Sequence, residues 1–78
     1  MAELRAAFAE SVARQVDLLE RSRCDGNWVV AAMRLKGLAA SFHSERLLAM
    51  ADQALDSAPG EPTAIRRLKA YLAEFSVA

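Results

Sequence analysis

Few side chains in these 78 residues are of types that perform chemistry, and their spacing excludes most of what they could do. Ser41, His43 and Asp52 supply the three residue types of a hydrolytic triad. No strained nucleophile elbow or oxyanion-hole signature accompanies them, so the set reads as coincidence. One cysteine, Cys24, cannot close an internal disulfide, and one histidine, His43, cannot anchor a Cys/His zinc cage. Arg21 and Arg23 lie near Cys24, but nothing else marks its thiol as activated. The sequence has no glycine-rich phosphate loop, paired catalytic carboxylates or metal-ligand cluster, and no cofactor is expected. Arg66, Arg67 and Lys69 form a small basic cluster whose default reading is a solvated helix face. What remains is a group in which a methionine and cations sit beside very small residues: Met33, Arg34, Lys36, Gly37, Ala40, Ser41 and His43.

The elements that must carry this group are helices. Alanine is the commonest residue, and β-branched residues are few, which favours helix almost throughout. Breaks at Cys24-Asp25-Gly26-Asn27, Ser41-Phe42-His43-Ser44 and Ser57-Ala58-Pro59-Gly60 predict four helices over about 3–23, 27–42, 44–57 and 61–76. The first carries Leu4, Phe8, Val12, Val16 and Leu19 on one stripe, with Glu10/Arg14 and Asp17/Arg21 as solvent-side pairs. Asp25-Gly26 is expected to supply the turn after it. The second has a seam of Trp28, Ala31, Leu35, Leu38 and Phe42, and the third begins at an N-capping Ser44 and buries Leu47, Leu48, Ala51 and Leu55. The fourth has Pro62 in its first turn and a seam of Ile65, Leu68, Leu72 and Phe75, with Tyr71 beside it. Short connections between four helices predict an antiparallel up-down four-helix bundle, all-α, forming a single domain over 1–78.

If Leu35, Leu38 and Phe42 point inward, then Met33, Lys36, Gly37, Ala40 and Ser44 share the outer side of the second helix, where long charged residues are expected. Gly37 costs roughly 1 kcal/mol relative to alanine inside a helix, so a contact should repay it. The run Met33-Arg34-Leu35-Lys36-Gly37-Leu38-Ala39 resembles the His-x-Leu-Lys-Gly segment of histidine-containing phosphotransfer (HPt) domains of bacterial two-component phosphorelays. Phe42, then Glu45-Arg46-Leu47 with Leu48, Ala51 and Leu55, is similar in spacing to that family's next helix. The resemblance covers roughly the central half of the chain. It implies a four-helix bundle that docks a response-regulator receiver domain or a histidine-kinase-associated protein.

Two positions depart from the family pattern. The phosphorylated histidine falls on Met33, and the small residue expected at the start of the following helix falls on His43. A thioether cannot serve as the nucleophile that an aspartyl phosphate requires. In the family, Lys36 would neutralise phosphoryl charge and Gly37 would leave room for the group. His43 lies ten residues after Met33 and would not occupy the position that Lys36 and Gly37 serve. As a structural residue Met33 would be core filler, but it falls outside the seam of its own helix and reads as contact surface.

Three functions follow as expectations. The first is a pseudo-phosphotransfer domain that binds its partner without accepting phosphate and is not an enzyme, with Met33, Arg34, Lys36, Gly37, Ala40, Ser41 and His43 at the contact. The second is an active phosphotransferase whose acceptor histidine is substituted in this chain. The third is a generic helical interaction module that self-associates or binds another helical protein, because a bundle this small has a small core. Ten basic residues balance ten acidic ones, which argues against a nucleic-acid module. The longest apolar run, Trp28 to Met33, is six residues, too short to insert in a membrane. The N-terminus shows no signal-peptide pattern, and with a free cysteine the expected location is cytoplasmic.

Overall fold

A computed structural model describes residues 2–22 and 24–77, with side chains over 6–22 and 24–74. It contains four α-helices: α1 (Ala2–Arg21), α2 (Asp25–Ser41), α3 (Glu45–Leu55) and α4 (Pro62–Val77). No strand occurs among the described residues. α1 packs on α2, α2 on α3, α3 on α4 and α4 on α1, while the backbones of the diagonal pairs stay further apart. The core therefore lies along the centre of a ring of four helices.

On α1 the expected stripe is buried: Phe8, Val12, Val16 and Leu19. Leu4, also assigned to that stripe, lies outside the described side chains, as does Phe75 on α4. On α2 the buried set is Trp28, Ala31, Ala32, Leu35 and Ala39, which corrects the expected seam. Leu38 is half-buried, and Phe42 sits at the rim with its ring 4.5 Å from that of Phe8. The reason is that α2 must face both α1 and α3, so its interior arc is wide, and three small alanines fill it. α3 buries Leu47, Ala51 and Ala54, leaving Leu48 and Leu55 half-buried. On α4, Ala64, Leu68 and Tyr71 are the buried residues, and Ile65 and Leu72 flank them half-buried. Tyr71 thus belongs to the core rather than beside it.

Helix ends differ from expectation in one informative place. Asp25 and Gly26 are the first residues of α2 and not the turn before it. The chain changes direction one step earlier, with Cys24 extended at φ −137°, ψ 160° as the N-cap. The Cys24 thiol makes no capping bond, but the Asp25 carboxylate lies in the first turn, where the helix dipole favours negative charge. Gly26 therefore has a helical neighbourhood, and the glycine at positive φ is Gly60 (83°), in the α3–α4 connection. α3 stops at Leu55, two residues before the expected end, and the Ser57 hydroxyl donates to the Gln53 carbonyl at 2.7 Å. The expected N-cap is present: the Leu47 N–H donates to Ser44 Oγ at 3.3 Å. Pro62 opens α4, where its missing N–H costs nothing.

Two buried or half-buried polar contacts tie the ring together. Trp28 Nε1 donates to the Ala54 carbonyl at 2.6 Å, joining α2 to the last turn of α3. The Ala54 carbonyl also accepts the Ser57 N–H at 3.1 Å, so the group this bond saves from burial without a partner is the indole N–H of Trp28. The Ser44 and Tyr71 hydroxyls hydrogen-bond at 2.8 Å, joining the start of α3 to α4.

Candidate docking face of the second helix

With Trp28, Leu35 and Ala39 turned inward, helical geometry leaves Val29, Val30, Met33, Gly37, Ala40 and Ser41 on the outside of α2, and all six are exposed. Met33 is 53% exposed. That excludes core packing as its role in this fold. Val29 and Val30 extend the apolar surface by one turn toward the N-terminus of α2, and Leu18 of α1 adds a fourth exposed apolar side chain. These three residues escaped the sequence analysis. The available signal was the unbroken apolar run from Trp28 to Met33, too long for one face of an amphipathic helix.

Gly37 stands in open space, for a Cβ built on it meets nothing within 4 Å. No neighbouring backbone in the chain requires a glycine there. Arg34 is exposed toward α1, and Lys36 is turned the other way, toward α3. Lys36 Nζ lies 3.0 Å from Asp52 Oδ1, with both side chains about half exposed. An anionic group arriving at this face must therefore compete with Asp52 for the lysine. Asp52 is thereby placed as the partner of Lys36.

His43 lies beyond the end of α2, so it does not join the Met33–Gly37 group on the helix itself. Its φ of 55° puts it in the left-handed region. His43 N–H donates to Ala40 O at 3.4 Å and Ser44 N–H to Ala39 O at 2.9 Å, the paired bonds of a Schellman C-cap. The start of α3 follows at Glu45, so the imidazole belongs to the helix junction and is exposed there.

Two clefts lie along the α1 side of the face, with Arg34 lining both. One, about 360 Å³, is lined by Leu18, Arg21, Ser22, Asn27, Val30 and Arg34, among others. The other, about 400 Å³, is lined by Ser11, Arg14, Gln15, Arg34, Gly37, Leu38 and Ser41. Gln15 Oε1 is shut off from solvent and has no hydrogen-bond partner among the described residues. No group of three His, Cys, Asp or Glu side chains that could hold a metal ion occurs among the described residues. No described helix is long and apolar enough to cross a membrane.

The basic cluster of α4 is largely occupied by its neighbours. Arg67 donates to Gln53 Oε1 at 2.6 Å, and Lys69 donates to Glu20 Oε2 at 2.6 Å. Across α3 and α4, Arg46 makes a two-pronged pair with Glu74 at 2.8 and 2.6 Å and sits 5.3 Å over the Tyr71 ring. Hydrogen bonding from Arg46, more than its charge, holds the Glu74 carboxyl below its ordinary pKa, and the same bond raises that of Arg46. Compared with known proteins, the chain matches no family model, no curated protein and no solved structure.

Proposed function

We propose that this chain is an HPt-like domain of bacterial two-component signalling that docks a response-regulator receiver without accepting phosphate. In this reading the four helices run up and down, each antiparallel to the next. The α1–α2 groove is consistent with that order, since residues 11–15 line it with 34–41 and residues 18–22 line it with 27–34. The observation that carries the reading is the outer face of α2: an exposed thioether where an imidazole would be phosphorylated, beside Gly37 in open space. A receiver would approach over Met33, Gly37, Ala40 and Ser41, with Arg34 and Lys36 on either side and His43 at the margin. Small residues let a partner's backbone come close, and the two cations suit the acidic phosphorylation pocket of a receiver. Met33 supplies apolar contact and no nucleophile. The domain would act in the cytoplasm, where such relays operate.

Titration of receiver domains into the full chain tests this by calorimetry. Binding is expected; Gly37→Gln should weaken it while keeping or raising the melting temperature, and Lys36→Glu should weaken it with only a small loss of stability from the exposed Asp52 pair. Loss of folding in Gly37→Gln, or receiver affinity indifferent to both changes, would remove the docking face.

A second reading has its own support, because Lys36 and Gly37 persist around the altered acceptor. In it the natural domain relays phosphate and Met33 stands in place of histidine. Efficient relay by Met33→His would favour that reading; no transfer would favour docking alone.

A further inference from the structure

We infer that the α1–α2 groove is a seat for one amphipathic helix of another protein, apolar on its inner face and acidic along its flanks. This rests on the groove itself and not on the receiver reading, since Arg14, Leu18 and Arg21 lie outside the face the family resemblance indicates. Leu18 of α1 and Val30 of α2, both more than 40% exposed, line one cleft together and give it exposed apolar surface. The rim is cationic: Arg14 and Arg21 project from α1 and Arg34 from α2, and no acidic side chain lines either cleft. Arg21 is paired with Asp17 at 3.3 Å, whereas Arg14 and Arg34 have no ionic or hydrogen-bond partner among the described residues. Elsewhere Lys36, Arg46, Arg67 and Lys69 each reach an acceptor on a neighbouring helix, and Arg66, on α4, lines neither cleft. Two unpaired arginines flanking exposed apolar side chains need an occupant that is greasy and negative together.

The dimensions agree. Lining residues of α2 run from Asn27 to Ser41, a span of about 21 Å at 1.5 Å per residue, room for about four helical turns. Apolar residues at i, i+3 or i+4 and i+7 of such a helix would rest on Leu18 and Val30, and glutamates beside them would meet Arg14 and Arg34. A second copy of the chain is a poor occupant, because α4 is net basic and α3, the more acidic of the two, already buries its apolar face in the ring.

The test uses two synthetic peptides of about 18 residues with the same leucine pattern, one flanked by glutamates and one by lysines. Amide chemical shifts of the full chain are followed during titration, at low and high salt. The acidic peptide should perturb residues 11–22 and 27–41, bind more weakly at high salt, and lose at least about tenfold in affinity on Arg34→Glu or Arg14→Glu. Arg34→Gln gives the milder variant if the charge reversal perturbs folding. Lys36→Glu, which should weaken receiver docking, should leave peptide affinity unchanged, so the two ideas fail separately. Equal binding of the lysine peptide, perturbation centred on α3 and α4, or no binding up to about 1 mM would overturn the inference. Self-association abolished by Val30→Glu would overturn it too, in favour of a second copy.

Discussion

At the scale of single residues, the positions of interest are set apart by not serving the fold. Gly37 is a glycine in a helix, in open space, that nothing in the chain requires. Gly37→Ala should therefore raise stability by about 0.5–1 kcal/mol, the helix propensity difference between the two residues. Chemical denaturation measures this directly, and a loss of stability would mean that Gly37 packs against something. His43 shows the opposite economy, a side chain where backbone geometry favours glycine. A non-glycine residue in the left-handed C-cap position is strained, so His43→Gly should stabilise the domain by about 1 kcal/mol. An unchanged or lower denaturation midpoint would argue that the imidazole makes a stabilising contact at the junction.

At the scale of elements, α2 explains why some of the architecture was legible and some was not. α1 alternates apolar and polar residues with clear helical spacing, and its buried residues from Phe8 to Leu19 follow that pattern. Ser44 and Pro62 carry local chemistry specific to helix starts, and both serve there. α2 is apolar nearly all round, so periodicity alone could not choose between a seam ending in Leu38 and Phe42 and one filled by Ala32 and Ala39. The same ambiguity hid Val29 and Val30, and the exposure of Leu18 depends on how α1 and α2 are set against each other. The Lys36–Asp52 pair was likewise invisible, because it depends on how α2 and α3 are rotated against each other.

Two predictions belong to these elements. Trp28 fills the α2–α3 interface with its indole N–H bonded to the Ala54 carbonyl, so Trp28→Ala should cost about 3–5 kcal/mol. A domain of this length has only roughly 4–12 kcal/mol of stability in total, so the variant should be largely unfolded near physiological temperature. Far-ultraviolet circular dichroism would show it, and a melting temperature within a few degrees of wild type would contradict the packing described. The Arg46–Glu74 pair links stability to pH. Glu74 is held below its ordinary pKa in the folded state, so the folded protein binds protons there less readily than the unfolded chain. Its contribution is present above the unfolded value of about 4.3 and is lost as pH falls through the lower folded value. Wild type should melt above Glu74→Gln at pH 7, with the gap closing on acidification through that window. The pair is exposed, so the gap should be small, and a gap that persists at low pH would assign it to something other than the carboxylate.

At the scale of the whole molecule, four helices enclose a small core and leave α2 with exposed Val29, Val30 and Met33 that no described residue covers. A polar outer surface would suit a free-standing bundle better, so this face is the strongest reason to assign the domain to recognition. In the proposed reading Lys36 and Gly37 of that helix correspond to the lysine and glycine of a phosphotransfer site, and the residue beside them is Met33, which can touch a partner and cannot take its phosphate. The measurement that tests this most directly is transfer of radiolabelled phosphate from a phosphorylated receiver, with its kinase present, while the receiver is held in complex with the chain. The account predicts a complex in which all label remains on the receiver and the kinase, and none on the chain. Acid-labile phosphate on the chain would contradict it.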